Sequence, residues 1–300
     1  KKFKVFVIDN LSAGYKKLIH KKAKFYKSNI NNLNQTKKII KINKIDSVIH
    51  LAASVSVSDS KKNNKLFYDN NVKGTHNIIK ACKDSLVKSL VFSSTAAVYQ
   101  TSNKKVTETS RIKPQSIYGV TKFKAEKIII KNLKKLKINY AILRYFNVVG
   151  ASPSQKIGPL KKNDTLFKNI SNVMFKKKIN IRIYGDNFNT VDGTCIRDYI
   201  HVSDLSEIHI KILKKIESVK KSVILNCGYG KGISVRQVVD EFIKISKKNS
   251  SVSILKKRPL DIVSSIANNN NLKKFIQWKP KYNNLNLMVK SCLNWEKKLN

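Results

Sequence analysis

Two short groups of residues in this chain could do chemistry together. Ser93-Ser94-Thr95 places hydroxyls at the end of an apolar run. Tyr118-Gly119-Val120-Thr121-Lys122 places a phenol and an ammonium four residues apart, where an amphipathic stretch begins. On a helix, residues four apart share a face, so the Lys122 ammonium can lie beneath the Tyr118 phenol. A neighbouring cation favours phenolate, drawing a group with an ordinary pKa near ~10 toward working pH. Taken alone, the pair also reads as a surface tyrosine and a lysine at a helix start.

The elements that must hold these groups follow from hydrophobic spacing. Phe3 to Ile8 is a short apolar strand ending in Asp9-Asn10, and Leu33, Ile39, Ile40 and Ile42 recur at helical spacing within residues 31–43. Ser47 to Ala52 is a continuous strand, and residues 62–84 form a helix with Val72, Ile78, Ile79 and Cys82 inward. Leu90-Val91-Phe92 is a strand, residues 116–136 a helix, and Tyr140 to Arg144 a strand. Strands without polar alternation, separated by helices, predict a parallel sheet covered on both faces. The fold class expected is therefore α/β, a doubly wound Rossmann-type sheet. Ligands of such sheets bind at the carboxyl ends of the strands, where Asp9, Ala52-Ala53, Ser93 to Thr95 and Tyr145 to Asn147 fall.

Beyond about residue 150 the pattern loosens into loops at 150–165 and 185–196. Helices are expected at 166–177, 203–217, 234–247 and 285–297, with strands at 179–184, 222–226 and 251–255. The division predicted is 1–150, a dinucleotide-binding domain, and 151–300, a smaller α/β substrate lobe with some segments returning to the first. The Asn-rich run 268–271 reads as a helix-start loop.

Composition narrows the class further. Three hundred residues with 41% hydrophobic content suit two lobes with a sizeable core. Sixty-one Lys+Arg against 18 Asp+Glu give a formal charge of +43, a balance that raises the question of a polyanion partner. The basic residues are spread over every predicted helix, with no RNA-binding motif and no basic tail, so biased composition is favoured over a specific nucleic-acid footprint. Cys82, Cys195, Cys227 and Cys292 stand far apart without C-x-x-C or clustered His, and read as reduced thiols of a cytoplasmic protein with no metal site. No apolar run approaches ~18 residues, so no membrane span is expected, and no signal peptide is read.

Asp9 at a strand end is placed to accept hydrogen bonds from the adenine-side ribose of a dinucleotide, its charge disfavouring a 2′-phosphate. Asp-Asn is also an ordinary turn starter. In such folds a Gly-x-x-Gly-x-x-Gly turn lies ~20 residues upstream and cradles the pyrophosphate. The chain opens at Lys1 without Met and without that turn. The expectation is a fragment starting at the second strand, the alternative being loss of the segment.

Several blocks together carry a specific resemblance. Asp9-Asn10-Leu11-Ser12, His50-Leu51-Ala52-Ala53, Tyr68-Asp69-Asn70-Asn71 and Phe92-Ser93-Ser94-Thr95-Ala96-Ala97-Val98-Tyr99 occur in order. They are followed by Tyr118 to Lys122, Leu143-Arg144-Tyr145-Phe146-Asn147, Asp192-Gly193-Thr194-Cys195-Ile196-Arg197-Asp198-Tyr199-Ile200-His201-Val202 and Leu225-Asn226-Cys227-Gly228-Tyr229-Gly230. From residue 5 to about 297 the chain resembles the UDP-glucose (UDP-galactose) 4-epimerases of the extended short-chain dehydrogenase/reductase superfamily. The resemblance implies tightly bound NAD contacted by Asp9, Asn10, Asn29, Ile30, Leu51, Ala52, Ala53, Asn70, Ser93, Tyr118, Lys122, Tyr145 and Phe146. It implies catalysis by Thr95, Tyr118 and Lys122, through a 4-keto sugar that turns before hydride returns. It also implies UDP-sugar contacts from Thr95, Tyr118, Asn147, Leu166, Tyr184, Arg197, Arg258, Asp261 and Ser265. A homodimer built on residues 62–84 and 116–136 is a further expectation. Arg197 and Arg258 suit a diphosphate because a planar fork pairs two oxygens at once.

The departures from that pattern are as informative as the matches. Asn29 replaces an acid that reads adenine, Val55 replaces a cofactor-contacting Lys of some members, and Leu260 replaces a Gly beside Arg258. Ser265 stands where a bulky residue limits the sugar pocket, so an N-acetyl group is a candidate substrate feature. Nucleotide-sugar 4,6-dehydratases carry an acid pair just after the Thr; here Ala96 and Ala97 stand there, which argues for epimerisation. Pentose and uronate epimerases stay open, as does an inert or polyanion-binding chain.

Overall fold

The computed structural model describes residues 3–55, 60, 63–160, 164–258 and 261–299. The first elements are β1 (Phe6–Asp9), β2 (Lys24–Lys27), α1 (Leu33–Ile42), β3 (Ser47–His50), α2 (Asn64–Tyr68) and α3 (Gly74–Cys82). Next come β4 (Ser89–Thr95), α4 (Ile117–Lys135), β5 (Asn139–Tyr145), β6 (Asn147–Val149), α5 (Leu166–Val173) and β7 (Asn180–Tyr184). Then follow β8 (Ile196–Arg197), β9 (Tyr199–His201), α6 (Val202–Val219), β10 (Val223–Cys227), β11 (Ile233–Ser234) and α7 (Val235–Ser246). The last are β12 (Ser251–Leu255), β13 (Ser264–Ser265), α8 (Asn270–Ile276) and α9 (Leu285–Leu299). Two compact units result, one of Lys1–Val98, Pro114–Leu143 and His209–Ile224, the other of Tyr99–Lys113, Arg144–Ile208 and Leu225–Asn300.

The first unit is built on the apolar strands that the sequence marks. A four-stranded sheet runs β10-β5-β4-β3, and β1 and β2 form a separate parallel pair. In β3 and β4, which are parallel, Val48 lies opposite Leu90 and His50 opposite Phe92. β4 is buried at every position, as a central strand covered on both faces must be. Leu90 and Phe92 of β4 pack with Ile78 and Ile79 of α3, Ile129 and Leu133 of α4 and Ile142 of β5 in one apolar cluster.

Two local expectations change here. The stretch expected as one helix from residue 62 is α2, a π-type turn over Asp69–Lys73, and α3. The wider turn rotates Asn70 and Asn71 relative to a regular helix, and such turns recur where a helix positions functional groups. Lys62 lies outside the described residues. Strand β2, Lys24-Phe25-Tyr26-Lys27, goes unread in the sequence because two lysines flank its two apolar residues.

The second unit uses shorter strands. β12 pairs with β7 and β6 with β9, both parallel, while β8 lies between β11 and β13. Its core contains Phe167 of α5 against Tyr199 (5.1 Å) and Phe242 (5.4 Å). Helix α7 starts with a capping box, Ser234 and Gln237 each bonding the other's backbone. Asp192 accepts from the Thr194 N–H at 2.9 Å and its hydroxyl at 2.7 Å, fixing a turn whose Gly193 has φ 74°. A Cβ at Gly193 would lie 1.8 Å from the Asp186 carbonyl oxygen, so only glycine fits.

Asp198 is the polar centre of this unit. Its fully buried carboxylate accepts from the N–H groups of Tyr229 (2.8 Å), Gly230 (2.8 Å) and Ala267 (3.1 Å). Burial pushes this carboxyl up to about 6, against the pull of those three N–H groups. Removing an acceptor from several enclosed N–H groups leaves each with its own desolvation cost. Asp198→Ala should therefore lower stability by about 3–4 kcal/mol, read as a lower urea midpoint at unchanged slope. A midpoint within experimental error of the parent would show that this carboxylate does not organise the unit.

Candidate active site

In the first unit, Thr95 closes β4 and Tyr118 stands on the first turn of α4. Ser116 caps that helix, its Oγ accepting from the Gly119 N–H at 3.1 Å. Thr95 Oγ1 accepts from the Ala97 N–H at 3.1 Å, tightening the turn after the strand. Gly119 lets the two turns meet: a Cβ there would lie 2.4 Å from the Ala97 carbonyl oxygen. The phenol of half-buried Tyr118 is pushed up by burial and pulled down, by less, by the Thr95 side chain beside it.

Lys122 lies one turn on and is 2% exposed. Its Nζ sits 4.2 Å from the centre of the Phe92 ring of β4. Burial pushes its pKa down to about 7, with Glu126 opposing the fall. The sequence reading expects the lysine to bring the phenol down. The structure differs because burial acts on both groups, raising the phenol and lowering the ammonium. The spacing is right, while the electrostatic outcome is set by the depth of the crevice.

Several polar residues that sequence reasoning passed over hold this group. Asn71 accepts from the Ser54 N–H (2.8 Å) and donates to the Ser54 carbonyl (3.0 Å) and Thr121 Oγ1 (3.1 Å). It thus ties the loop after β3 to α4. Asn70, which was expected in the site, donates to Ser54 Oγ at 2.9 Å. His50 is buried at 3.0 Å from Thr75 Oγ1 and is pushed down to about 3 by burial and by Lys122, which makes it neutral. The available signal for Asn71 and His50 was their place inside quoted blocks; for Glu126 it was a carboxylate four residues after Lys122.

The expected cofactor residues of this unit lie at strand ends. Asp9 ends β1, with one carboxylate oxygen on the Leu11 N–H at 2.6 Å and its side chain exposed. Asn10 and Asn29 accept from the Ser12 (3.0 Å) and Asn31 (2.9 Å) N–H groups. Leu51 and Ala52 are exposed and Ala53 is half-buried just after β3, and Ser93 is buried within β4. Ile30 is buried in the core, where Gly74 leaves room for it. The ribose hydroxyls of NAD donate and accept; an acceptor carboxylate at β1 and a donor ammonium beside β4 fit both roles.

The second unit brings a different set together. The Arg258 guanidinium lies 4.8 Å from the Tyr184 ring centre and pairs with Asp261 at 3.0 Å. Arg197 of β8 donates to the Ile196 carbonyl at 2.9 Å, and Ser265 of β13 is its strand neighbour. Burial pushes the Cys195 thiol up, the charges of Arg197 and Arg258 pull it down, and that of Asp261 raises it. Tyr145 ends β5, Phe146 is buried with its N–H on the Cys227 carbonyl (3.1 Å), and Asn147 opens β6. No hydrogen bond, ion pair or ring contact links Asn147 or Leu166 to the arginine set among the described residues. Leu260, beside Arg258, lies outside the described residues.

Among the described residues, no group of three or more His, Cys, Asp or Glu is placed to hold a metal ion. The four cysteines are free and buried. No helix is long and apolar enough to cross a membrane.

A parallel sheet with a hydroxyl, a phenol and an ammonium gathered beside its central strand defines a Rossmann-type protein of the extended short-chain dehydrogenase/reductase class. Residues 1–228 match the NAD dependent epimerase/dehydratase family, and the chain belongs to that family. The UDP-glucose 4-epimerase of Lactobacillus helveticus is 36% identical over 295 residues, covering 98% of this chain and 89% of that protein. The crystal structure of Bifidobacterium longum UDP-glucose 4-epimerase in complex with NAD+ and UDP has a TM-score of 0.91 at 30% identity, covering 98% of this chain and 91% of that one. The structure of the UDP-Glc/GlcNAc 4-epimerase of Campylobacter jejuni has a TM-score of 0.84 at 33% identity, covering 98% and 92%.

Two substitutions test the geometry of this crevice. Gly119→Ala drives a methyl into the Ala97 carbonyl and should displace the Tyr118 turn, costing about 1–3 kcal/mol and most of the activity in a urea melt and turnover assay. Lys122→Met removes a buried charge but keeps the volume. It leaves the enclosed Glu126 carboxylate without that counter-charge and should lower stability by about 3–5 kcal/mol, read as a lower melting temperature, while turnover is lost. A higher melting temperature for that variant would show that the buried ammonium is a net cost to the fold.

Proposed function

We propose that the chain interconverts UDP-glucose and UDP-galactose by inverting C4 of the hexose through a 4-keto sugar. The observation that carries this reading is Thr95, Tyr118 and Lys122 gathered at the end of β4, with Ala96 and Ala97, not acids, following the threonine. Bound NAD supplies hydride acceptance and return at that carbon, with no net oxidation. The Tyr118 phenolate takes the proton of the sugar 4-hydroxyl and gives it back, and Thr95 bridges to that hydroxyl. Lys122 would donate to the nicotinamide ribose, while the Thr95 side chain works, by less, against the burial that raises the phenol. Asp9 accepts from the adenine-side ribose. The other expected cofactor contacts are Asn10, Asn29, Ile30, Leu51, Ala52, Ala53, Asn70, Ser93, Tyr145 and Phe146.

Inversion requires the same residues to serve both faces of the sugar, so binding energy must sit elsewhere. Arg197 and Arg258 hold the diphosphate, with Arg258 pre-set by Asp261 and Tyr184, while Asn147, Leu166 and Ser265 line the nucleotide-sugar path. In this reading the first unit holds NAD and the second mainly the UDP-sugar. The family resemblance and the four unpaired thiols support a cytoplasmic homodimer.

A second reading is favoured by one observation. Ser265, small and half-buried, is the strand neighbour of Arg197, which leaves room for an N-acetyl group. The test is turnover of UDP-galactose and UDP-N-acetylgalactosamine, with UDP-pentose and UDP-uronate alongside. Tyr118→Phe should cut turnover of the accepted sugar by about 10²–10⁴-fold. Ser265→Tyr should remove only activity on the N-acetyl sugar. Absence of turnover on every UDP-sugar by the NAD-loaded chain, with salt-dependent RNA binding instead, would replace this reading by a polyanion-binding one.

A further inference from the structure

Glu126 has no part in the chemistry described so far, yet it stands where it can govern Lys122. Tyr118, Lys122 and Glu126 are spaced by four on α4 and so share one face. Glu126 is 1% exposed, and a carboxylate is enclosed to that degree only when something holds it. Ser94 Oγ, one residue before Thr95 on β4, donates a hydrogen bond to Glu126 Oε1. The strand that carries the catalytic hydroxyl thus also anchors this carboxylate.

We propose that Glu126 is a positioning residue, anchored on Ser94, that keeps the buried Lys122 ammonium charged and seated over Phe92. Its relevance to turnover rests on the epimerase reading above; its effect on Lys122 does not. No other titratable or polar group named on the elements packed against α4 supplies that charge. From β3 comes His50, which is neutral. From β4 come Phe92 and Ser94, which do not ionise at working pH. In the π-type turn before α3, Asp69 is paired with Lys73 at 2.7 Å. On α3, His76 is neutral or cationic and can add no negative charge; burial and Lys80 push it down. On α4 itself, Tyr118 is protonated and pushed up by burial. Glu126 is the charge that raises the pKa of Lys122 against burial, leaving it at about 7.

The experiment follows the ε-carbon signal of Lys122 with pH in the full chain carrying 13C-lysine. The signal is assigned by its loss in Lys122→Arg, with no UDP-sugar present. The parent should titrate near 7. Glu126→Gln should lower the midpoint by about one pH unit or more, and Glu126→Asp should restore most of it. Ser94→Ala keeps the carboxylate but removes its Ser94 hydrogen bond, and should give a smaller fall; it serves as the test if Glu126→Gln does not fold. In the NAD-loaded chain, the alkaline limb of turnover on UDP-galactose should move down with the midpoint. A Glu126→Gln variant that melts earlier but leaves the Lys122 midpoint unmoved overturns the proposal, because a purely structural carboxylate predicts that result. A shifted midpoint in a chain that turns over no UDP-sugar upholds the charge relay and removes the epimerase reading.

Discussion

Holding one ammonium almost out of water is the constraint on which the first unit turns. A lysine as enclosed as Lys122 loses most of its hydration, and the fold returns only part of that through the Phe92 ring and a carboxylate one turn away. The sheet makes the enclosure: β4 is buried along its whole length, so anything reaching its end from α4 enters a low-dielectric crevice. The same enclosure that weakens the lysine's hold on its proton strengthens every charge interaction it makes. A surface Tyr-x-x-x-Lys would keep ordinary pKa values and little mutual influence. The chemistry follows from depth more than from spacing.

A common plan runs through both units, in which a working side chain stands next to a buried polar one that fixes its backbone. Arg197 is half-exposed while its neighbour Asp198 gathers three N–H groups. On a strand, adjacent residues point to opposite faces, so anchoring one aims the other outward. Asn70 and Asn71 divide the same way, with Asn71 enclosed and triply bonded to its surroundings. Ser94 points to Glu126 and Thr95 ends the strand. The long quoted motif from Asp192 to Val202 is thus mostly scaffold: Asp192, Thr194 and Asp198 close turns and hubs, while Arg197 is left half-exposed.

What could be read from sequence divides along physical lines. Long apolar strands and amphipathic helices declare themselves, so β4, α4, β5, β12 and α9 fall close to where hydrophobic spacing puts them. Two-residue strands such as β8, β11 and β13 carry no period and are made by long-range pairing, so hydrophobic spacing does not mark them. β2 was hidden by its lysine flanks, and the π-type turn by a helical pattern that continues through it. In the site, Thr95, Tyr118 and Lys122 were legible because spacing alone brings a phenol and an ammonium to one face. The direction of their pKa shifts was not, since burial depends on what packs above them. Glu126 and Asn71 went unread for the same reason: nothing in a string marks a polar residue as enclosed.

The charge of the chain bears on the site through contrast. Of 61 basic residues only six are arginine, namely Arg111, Arg144, Arg182, Arg197, Arg236 and Arg258. Arg144 is buried, its Nη1 donating to Tyr99 OH at 3.0 Å and the Glu108 carbonyl at 3.1 Å while the planar guanidinium lies 4.9 Å from the Tyr99 ring centre. Arg258 is held by a ring and a carboxylate at once. Of these, Arg258 uses two guanidinium nitrogens on one carboxylate, Nε and Nη2 on Asp261. The many lysines make a diffuse positive field that raises the local concentration of any anion without choosing among them. Selection among anions therefore falls to positions where donor geometry, not charge alone, is specified, as it is for Arg258 between the Asp261 carboxylate and the Tyr184 ring.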